Sequence, residues 1–270
     1  MPKKIQLFWW SERKLMAKPK ENYGDLLGKY LVEKISGKQV IWVQPKKQWF
    51  KALFSPVYVT IGSVLSQVND KCIVWGSGII TRDQEVDNAK FLAVRGPKSR
   101  DRLLELGYKV PEVYGDPGLL LPRFYKPEIH KKYKYGIIPH YSDYELVAKQ
   151  FCDNNDVQII DLMTNNIEQT TDSILQCEKI ISSSLHGLII SHAYQKPAVW
   201  MKFSNNLFGD DVKFEDYFSS VQIPYAQPQV VNANLDKLDF KELFNENSVL
   251  PKIEVIHQLQ EGLIKSCPFV

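Results

Sequence analysis

The sequence predicts an α/β protein made of two Rossmann-like halves that face each other across a cleft. Three observations carry this expectation. Short apolar runs alternate with helix-period patterns from end to end, the apolar runs read as buried strands of parallel sheets, and a stretch rich in proline and charge near the middle separates two such series.

The first series opens with KIQLFWW (4–10), a strand. NYGDLLGKYLVEKISG (22–37) follows as a helix with Leu27, Tyr30, Leu31 and Ile35 on its apolar face, opened by Asn22 and Asp25 and closed by Gly37. Residues 39–43, 57–62, 72–76 and 89–96 read as further buried strands. Residues 97–108 form a helix with Pro97 at its start and Gly107 at its end. LLLPRFYKPEIHKKYK (119–134) reads as the linker between halves. Beyond it come strands at 135–141, 157–161, 179–183 and 197–203, and helices at 143–154, 167–178 and 184–195. A terminal helix at 250–267 completes the second half.

Composition narrows the classes. An apolar content of 44% supplies a real core, and a net charge of +3 points to no large polyanion, so no nucleic-acid partner is expected. The four cysteines are widely spaced with no C-x-x-C pair, which speaks against a disulfide framework or a zinc site and for a reducing, cytoplasmic setting. The apolar run 5–10 is about half the length of a signal-peptide core, and no stretch approaches the ~20 apolar residues of a membrane span. A protein neither exported nor integral to a membrane is expected.

Ligands of open α/β sheets bind beyond the carboxyl ends of strands, where helix N-termini present free N–H groups. Four segments lie at such places. In NYGD (22–25), Asn22 and Asp25 can cap a helix or bind a ligand. In WGSGI (75–79), Gly76 lets backbone approach an anion and Ser77 adds a hydroxyl, although a G-x-G turn alone is weak evidence. Arg95, at the end of a buried strand, can fork two bonds to a carboxylate or phosphate; the structural alternative is an ion pair with an acid such as Asp116. In ISSSLHG (181–187), Ser182, Ser183 and Ser184 straddle a strand end and a helix start, and His186 lies in the first turn. His192, about 240° further round, is read as structural. Together these describe an anion cleft with one group able to move a proton near neutral pH. A phosphorylated carboxylate and a nucleotide-sugar diphosphate both suit it.

These segments, with VRGPKS, VYGDPGLLLP, GIIPHYSD and KFEDYF (213–218) in the same order, resemble the polysaccharide pyruvyl transferase family. The resemblance implies a GT-B-like fold of two domains, which the linker divides into 1–124 and 125–270, with phosphoenolpyruvate as donor in the cleft between them. It implies transfer of pyruvate as a ketal onto sugar hydroxyls of a surface polysaccharide, such as capsule or exopolysaccharide, or of its precursor. His186 would be the general acid, and Arg95 would bind donor carboxylate or phosphate. Gly76, Ser77, Ser183 and Ser184 would hold the phosphate, with Asn22 and Asp25 beside them, and no metal or other cofactor is implied. One position departs from the family pattern. Members often carry an arginine just before the Leu-His pair, where this chain has Ser184; a lost charged contact is worth about 1.5–3 kcal/mol. Lys98, Arg100 and Lys202 are the candidates to replace that charge.

Two rival readings stay open: a glycosyltransferase of the same fold using a nucleotide-sugar donor, and a non-catalytic glycan-binding relative. The acceptor is expected to be an oligosaccharide or a lipid-linked sugar. KKQWFKALF (46–54), with Trp49, Phe50 and Phe54 among lysines, suits peripheral contact with the inner face of a membrane, or else a solvated loop with its aromatics turned inward.

Overall fold

The computed structural model describes residues 4–48, 55–204, 208–230, 239–246 and 250–269; of the basic-aromatic stretch 46–54, positions 49–54 lie outside the described residues. The elements run β1 (Ile5–Phe8), α1 (Glu12–Leu15), β2 (Glu21–Asn22), α2 (Tyr23–Ser36), β3 (Val40–Trp42), β4 (Val57–Val59), β5 (Cys72–Trp75), β6 (Lys90–Ala93), α3 (Pro97–Glu105) and α4 (Leu121–Phe124). The second series is β7 (Tyr133–Ile138), α5 (Tyr144–Gln150), β8 (Val157–Ile159), β9 (Met163–Thr164), α6 (Ile167–Leu175), β10 (Cys177–Ser182), α7 (Leu185–Ala193), β11 (Ala198–Lys202), α8 (Val212–Ser220), β12 (Gln229–Val230), α9 (Phe240–Glu246) and α10 (Ile253–Lys265).

Two five-stranded sheets result, ordered β3-β1-β4-β5-β6 and β12-β11-β10-β7-β8, with every pairing inside them parallel. Numbered within its own half, each sheet has the doubly wound order 2-1-3-4-5. The winding reverses between β1 and β4 in one sheet and between β7 and β10 in the other, and such reversals open the crevices where doubly wound folds hold ligands.

The halves are stitched together rather than simply joined. β2 pairs antiparallel with β9, and the Tyr23 N–H donates to the Leu162 carbonyl at 2.8 Å. Tyr23, Leu27 and Leu31 of α2 then enter one core with Ile167 and Ile174 of α6 and Leu188 and Ile189 of α7. In the opposite direction, α10 returns from the end of the chain to the first sheet. Leu263 packs with Trp75, whose indole N–H donates to the Leu263 carbonyl at 3.0 Å. Residues 1–124 and 125–270 each hold one sheet, but they exchange helices across that boundary.

The proposed linker is corrected in its first half. Leu119, Leu120 and Leu121 are completely buried, in a 3-10 turn (Pro117–Leu120) running into α4. Burying such a side chain is worth about 1.5–3 kcal/mol, enough to turn an apparent connector into core. Only residues 125–132 run without helix or strand.

Arg95 and Asp216 form a second tie. Both side chains are fully buried; Arg95 Nε donates to Asp216 Oδ2 at 2.9 Å. The Ser99 backbone N–H and hydroxyl donate to the same carboxylate at 2.9 and 2.6 Å. This fastens the β6–α3 turn of the first half to α8 of the second. Removing one partner of a buried pair strands a charge, at a cost of about 3–5 kcal/mol, whereas replacing both by apolar groups costs far less. Asp216→Ala is therefore expected to lower unfolding stability by about that amount in urea titration, and the double change Arg95→Met with Asp216→Leu to recover much of it.

Candidate functional site

Both reversal points open onto one cavity of about 500 Å³. Trp10 and Glu12 reach it beyond β1, Gly62 to Val64 with Ser66 and Gln67 beyond β4, His140 and Tyr141 beyond β7, and Ser183 to His186 beyond β10, joined by Asn22, Asp25, Ile80, Phe208 and Lys213. The volume lies in the range of small-molecule sites.

Each residue of NYGD has a separate task. Asn22 caps α2 by accepting from the Gly24 N–H at 3.0 Å, and the buried Tyr23 anchors the turn through a 2.7 Å hydrogen bond between its hydroxyl and that of Thr171. Gly24 leaves room for an imidazole: a methyl group there would lie 1.9 Å from His186 Nδ1. Asp25 lines the cavity and makes no hydrogen bond to the described residues. Burial, reinforced by Glu12 and Glu21, pushes its carboxyl up to about 7 against the opposing pull of His186 and Lys213.

The three serines are not equivalent. Ser182 donates to the Ser184 carbonyl at 2.8 Å and accepts from the Ser184 N–H, and Ser183 accepts from the His140 N–H at 2.8 Å, so both hydroxyls serve the chain. Ser184 is the N-cap of α7 and makes no side-chain capping bond. Its hydroxyl and the first-turn N–H groups of α7 remain at the cavity, at the positive pole of the helix. His186 stands in that first turn, 9% exposed. His192 is fully buried behind it, its Nδ1 2.9 Å from the Tyr217 hydroxyl.

Three expected donor contacts fall elsewhere. Arg95 is 0% exposed and donates to Asp216, to the Ile79 carbonyl at 2.7 Å and to the Ser63 hydroxyl at 2.6 Å, so it reaches the cavity wall only through Ser63. Its partner is Asp216, not Asp116. The WGSG turn cradles this guanidinium rather than an anion. A methyl group on Gly78 would lie 2.4 Å from Arg95 Cζ, the Ser77 hydroxyl donates to the Gly62 carbonyl at 2.7 Å, and Gly76 lies against Pro117. Neither Gly76 nor Ser77 lines the cavity.

The cations considered as substitutes for the missing arginine are also spent. Lys98 pairs with Glu215 at 3.3 Å, Lys202 pairs with Asp211, and Arg100 donates to the Val110 carbonyl. The cavity's cation is Lys213, in the first turn of α8, which makes no ion pair among the described residues. Burial, with Arg95 nearby, brings its amine down to about 8. His140 is held neutral: burial, with Lys213 nearby, lowers it to about 4. Lys213 escaped the periodicity reading because residues 203–249 show no clear pattern. The signal that could have found it was the KFEDYF segment, which supplies Lys213 to the cavity and Asp216 to Arg95.

The fold and site define a doubly wound α/β protein with a cavity lined from both sheets. The family model of polysaccharide pyruvyl transferases matches residues 22–205, which span every cavity element from NYGD to the α7 helix mouth. The chain belongs to the polysaccharide pyruvyl transferase family. An uncharacterized protein of Acanthamoeba polyphaga mimivirus is 32% identical over 232 residues, covering 81% of this chain and 79% of that protein. No solved structure gives a significant match. Among the described residues no helix is long and apolar enough to cross a membrane.

The packing of Gly24 on His186 is directly testable. Gly24→Ala is expected to cost about 1–3 kcal/mol in urea unfolding through overpacking and to shift the His186 imidazole resonances. Gly262→Ala, where the new methyl meets Val113 at an ordinary 3.5 Å, should leave both unharmed.

Proposed function

We propose that this protein transfers the pyruvyl group of phosphoenolpyruvate to two hydroxyls of a saccharide, releasing phosphate and leaving a pyruvate ketal. The observation that carries the reading is the imidazole of His186, set in a helix mouth on the cavity that Lys213, with no ion pair among the described residues, also lines, within a chain of the pyruvyl transferase family. Lys213, the Ser184 hydroxyl and the α7 N–H groups would hold the phosphate and carboxylate. His186 would give its proton to the methylene carbon, making C2 electrophilic. One sugar hydroxyl adds there and returns a proton to His186, the C2–O bond to phosphate breaks, and the second hydroxyl adds to C2 to close the ketal, its proton leaving with the phosphate. Asp25, held near 7 by burial, can be neutral beside the donor, so it need not repel it.

Trp10 and Phe208, at 36% and 75% exposure, line the same cavity and offer apolar ring faces to a pyranose. This supports a saccharide acceptor, free or lipid-linked, and the facing reversal points support a GT-B-like arrangement. Arg95 acts in this reading as a wall support through Ser63 rather than as a donor ligand. The setting is cytoplasmic, with any membrane contact peripheral.

Phosphoenolpyruvate binding, measured by calorimetry between pH 7 and 9, tests the reading above the second phosphate ionisation near 6. Affinity should fall as pH rises, because Asp25 gains negative charge around 7 and Lys213 loses positive charge around 8. Lys213→Met should weaken binding about 10- to 100-fold at pH 7, as for a lost charged contact, and Asp25→Asn should flatten the lower part of the profile. Binding of UDP- or GDP-sugars with no response to phosphoenolpyruvate would instead place the protein among the glycosyltransferases.

A further inference from the structure

The buried interior behind the cavity holds two polar atoms that face each other and make no hydrogen bond among the described residues. Asp116 lies on the YGDPG turn, and its Oδ1 accepts from the Gly118 N–H at 2.8 Å, which accounts for that oxygen as a cap. Its other oxygen, Oδ2, is buried, has no hydrogen-bond partner among the described residues and lies 3.6 Å from His186 Nε2, which is likewise buried and without such a partner. Capping needs one carboxylate oxygen. An uncompensated second one would be costly in the interior, so its placement opposite the imidazole calls for a reason.

The turn that carries Asp116 is firmly seated. Leu119 and Leu120 are fully buried, the Gln260 side chain of α10 donates to the Leu119 carbonyl at 2.7 Å, and Gly118 approaches Leu27 of α2 and Ile189 of α7. Asp116 therefore stands on a rigid support packed against the helix that carries His186. A separation of 3.6 Å is long for a hydrogen bond, but such contacts tighten when a ligand closes a site.

We infer that Asp116 is a positioning residue that holds the proton of neutral His186 on Nε2 and turns Nδ1, the nitrogen beside Gly24, toward the ligand. A carboxylate can only accept, so the imidazole must donate from Nε2. When His186 becomes protonated, the second proton sits on Nδ1, and it is that proton which the cavity can use. This rests on the proposed role of His186 for its catalytic consequence only; the tautomer itself is a property of the protein without ligand.

The test is long-range ¹⁵N–¹H correlation NMR of the ¹⁵N-labelled full chain at a pH where the imidazoles are neutral. His186 is assigned by the loss of its signals in His186→Gln. The wild type should show the Nε2–H tautomer, and a wild type with Nδ1–H would overturn the inference whether or not any Asp116 variant folds. In Asp116→Asn the amide N–H can donate to Nε2, so the proton should move to Nδ1; an unchanged tautomer in that variant would also overturn it. Pyruvyl transfer by Asp116→Asn should fall about 10²- to 10⁴-fold in kcat, with phosphoenolpyruvate affinity changed less than about threefold. A tautomer that moves as expected while transfer is unaffected would count against the role of His186 in the reaction, and would leave the positioning by Asp116 standing.

Discussion

The buried pair of Arg95 and Asp216 is the constraint on which the site depends. Asp216 lies three residues after Lys213 on α8, so the clamp that ties α8 to the first half also sets the lysine at the cavity. On its other side the guanidinium supports the Ile79 carbonyl and Ser63, and so braces the wall beyond β4. Buried ion pairs contribute little net stability compared with apolar packing. What this one supplies is registration: it fixes where a helix from one half sits against a turn from the other.

Much of this architecture was legible in the chain. The alternation of apolar runs and helical periods placed the ten sheet strands except β12, and the proline and glycine punctuation placed the ends of α2 and α3 within a few residues. The misses share a physical cause. Whether Leu119 to Leu121 form a connector or core depends on what packs over them, and α2, α7 and α10 come from three distant parts of the sequence. The two-residue pairing of β2 with β9 has no periodicity to detect.

The candidate site was legible in its near-neighbour features and opaque in its partnerships. The histidine in a serine-rich helix mouth, and the Asn22 to Asp25 turn beneath it, stand out locally because capping chemistry is local. Arg95 also stands out, as a charge at the end of a buried strand, but its partner lies 121 residues away. Asp116, the nearer acid, faces the imidazole instead. Ser184 posed the question of where the missing positive charge had gone, and Lys213 is in the cavity on an element that the pattern did not resolve.

The exchange of helices between the two sheets has a consequence for how the chain comes to be folded. The first sheet lacks part of its cover until α10 arrives from residues 253–265, and α2 finds its core only once α6 and α7 exist. The contacts that join the two sheets link residues far apart in sequence, a topology that slows folding. The walls of the cavity, drawn from both series of strands, are completed by that same long-range assembly.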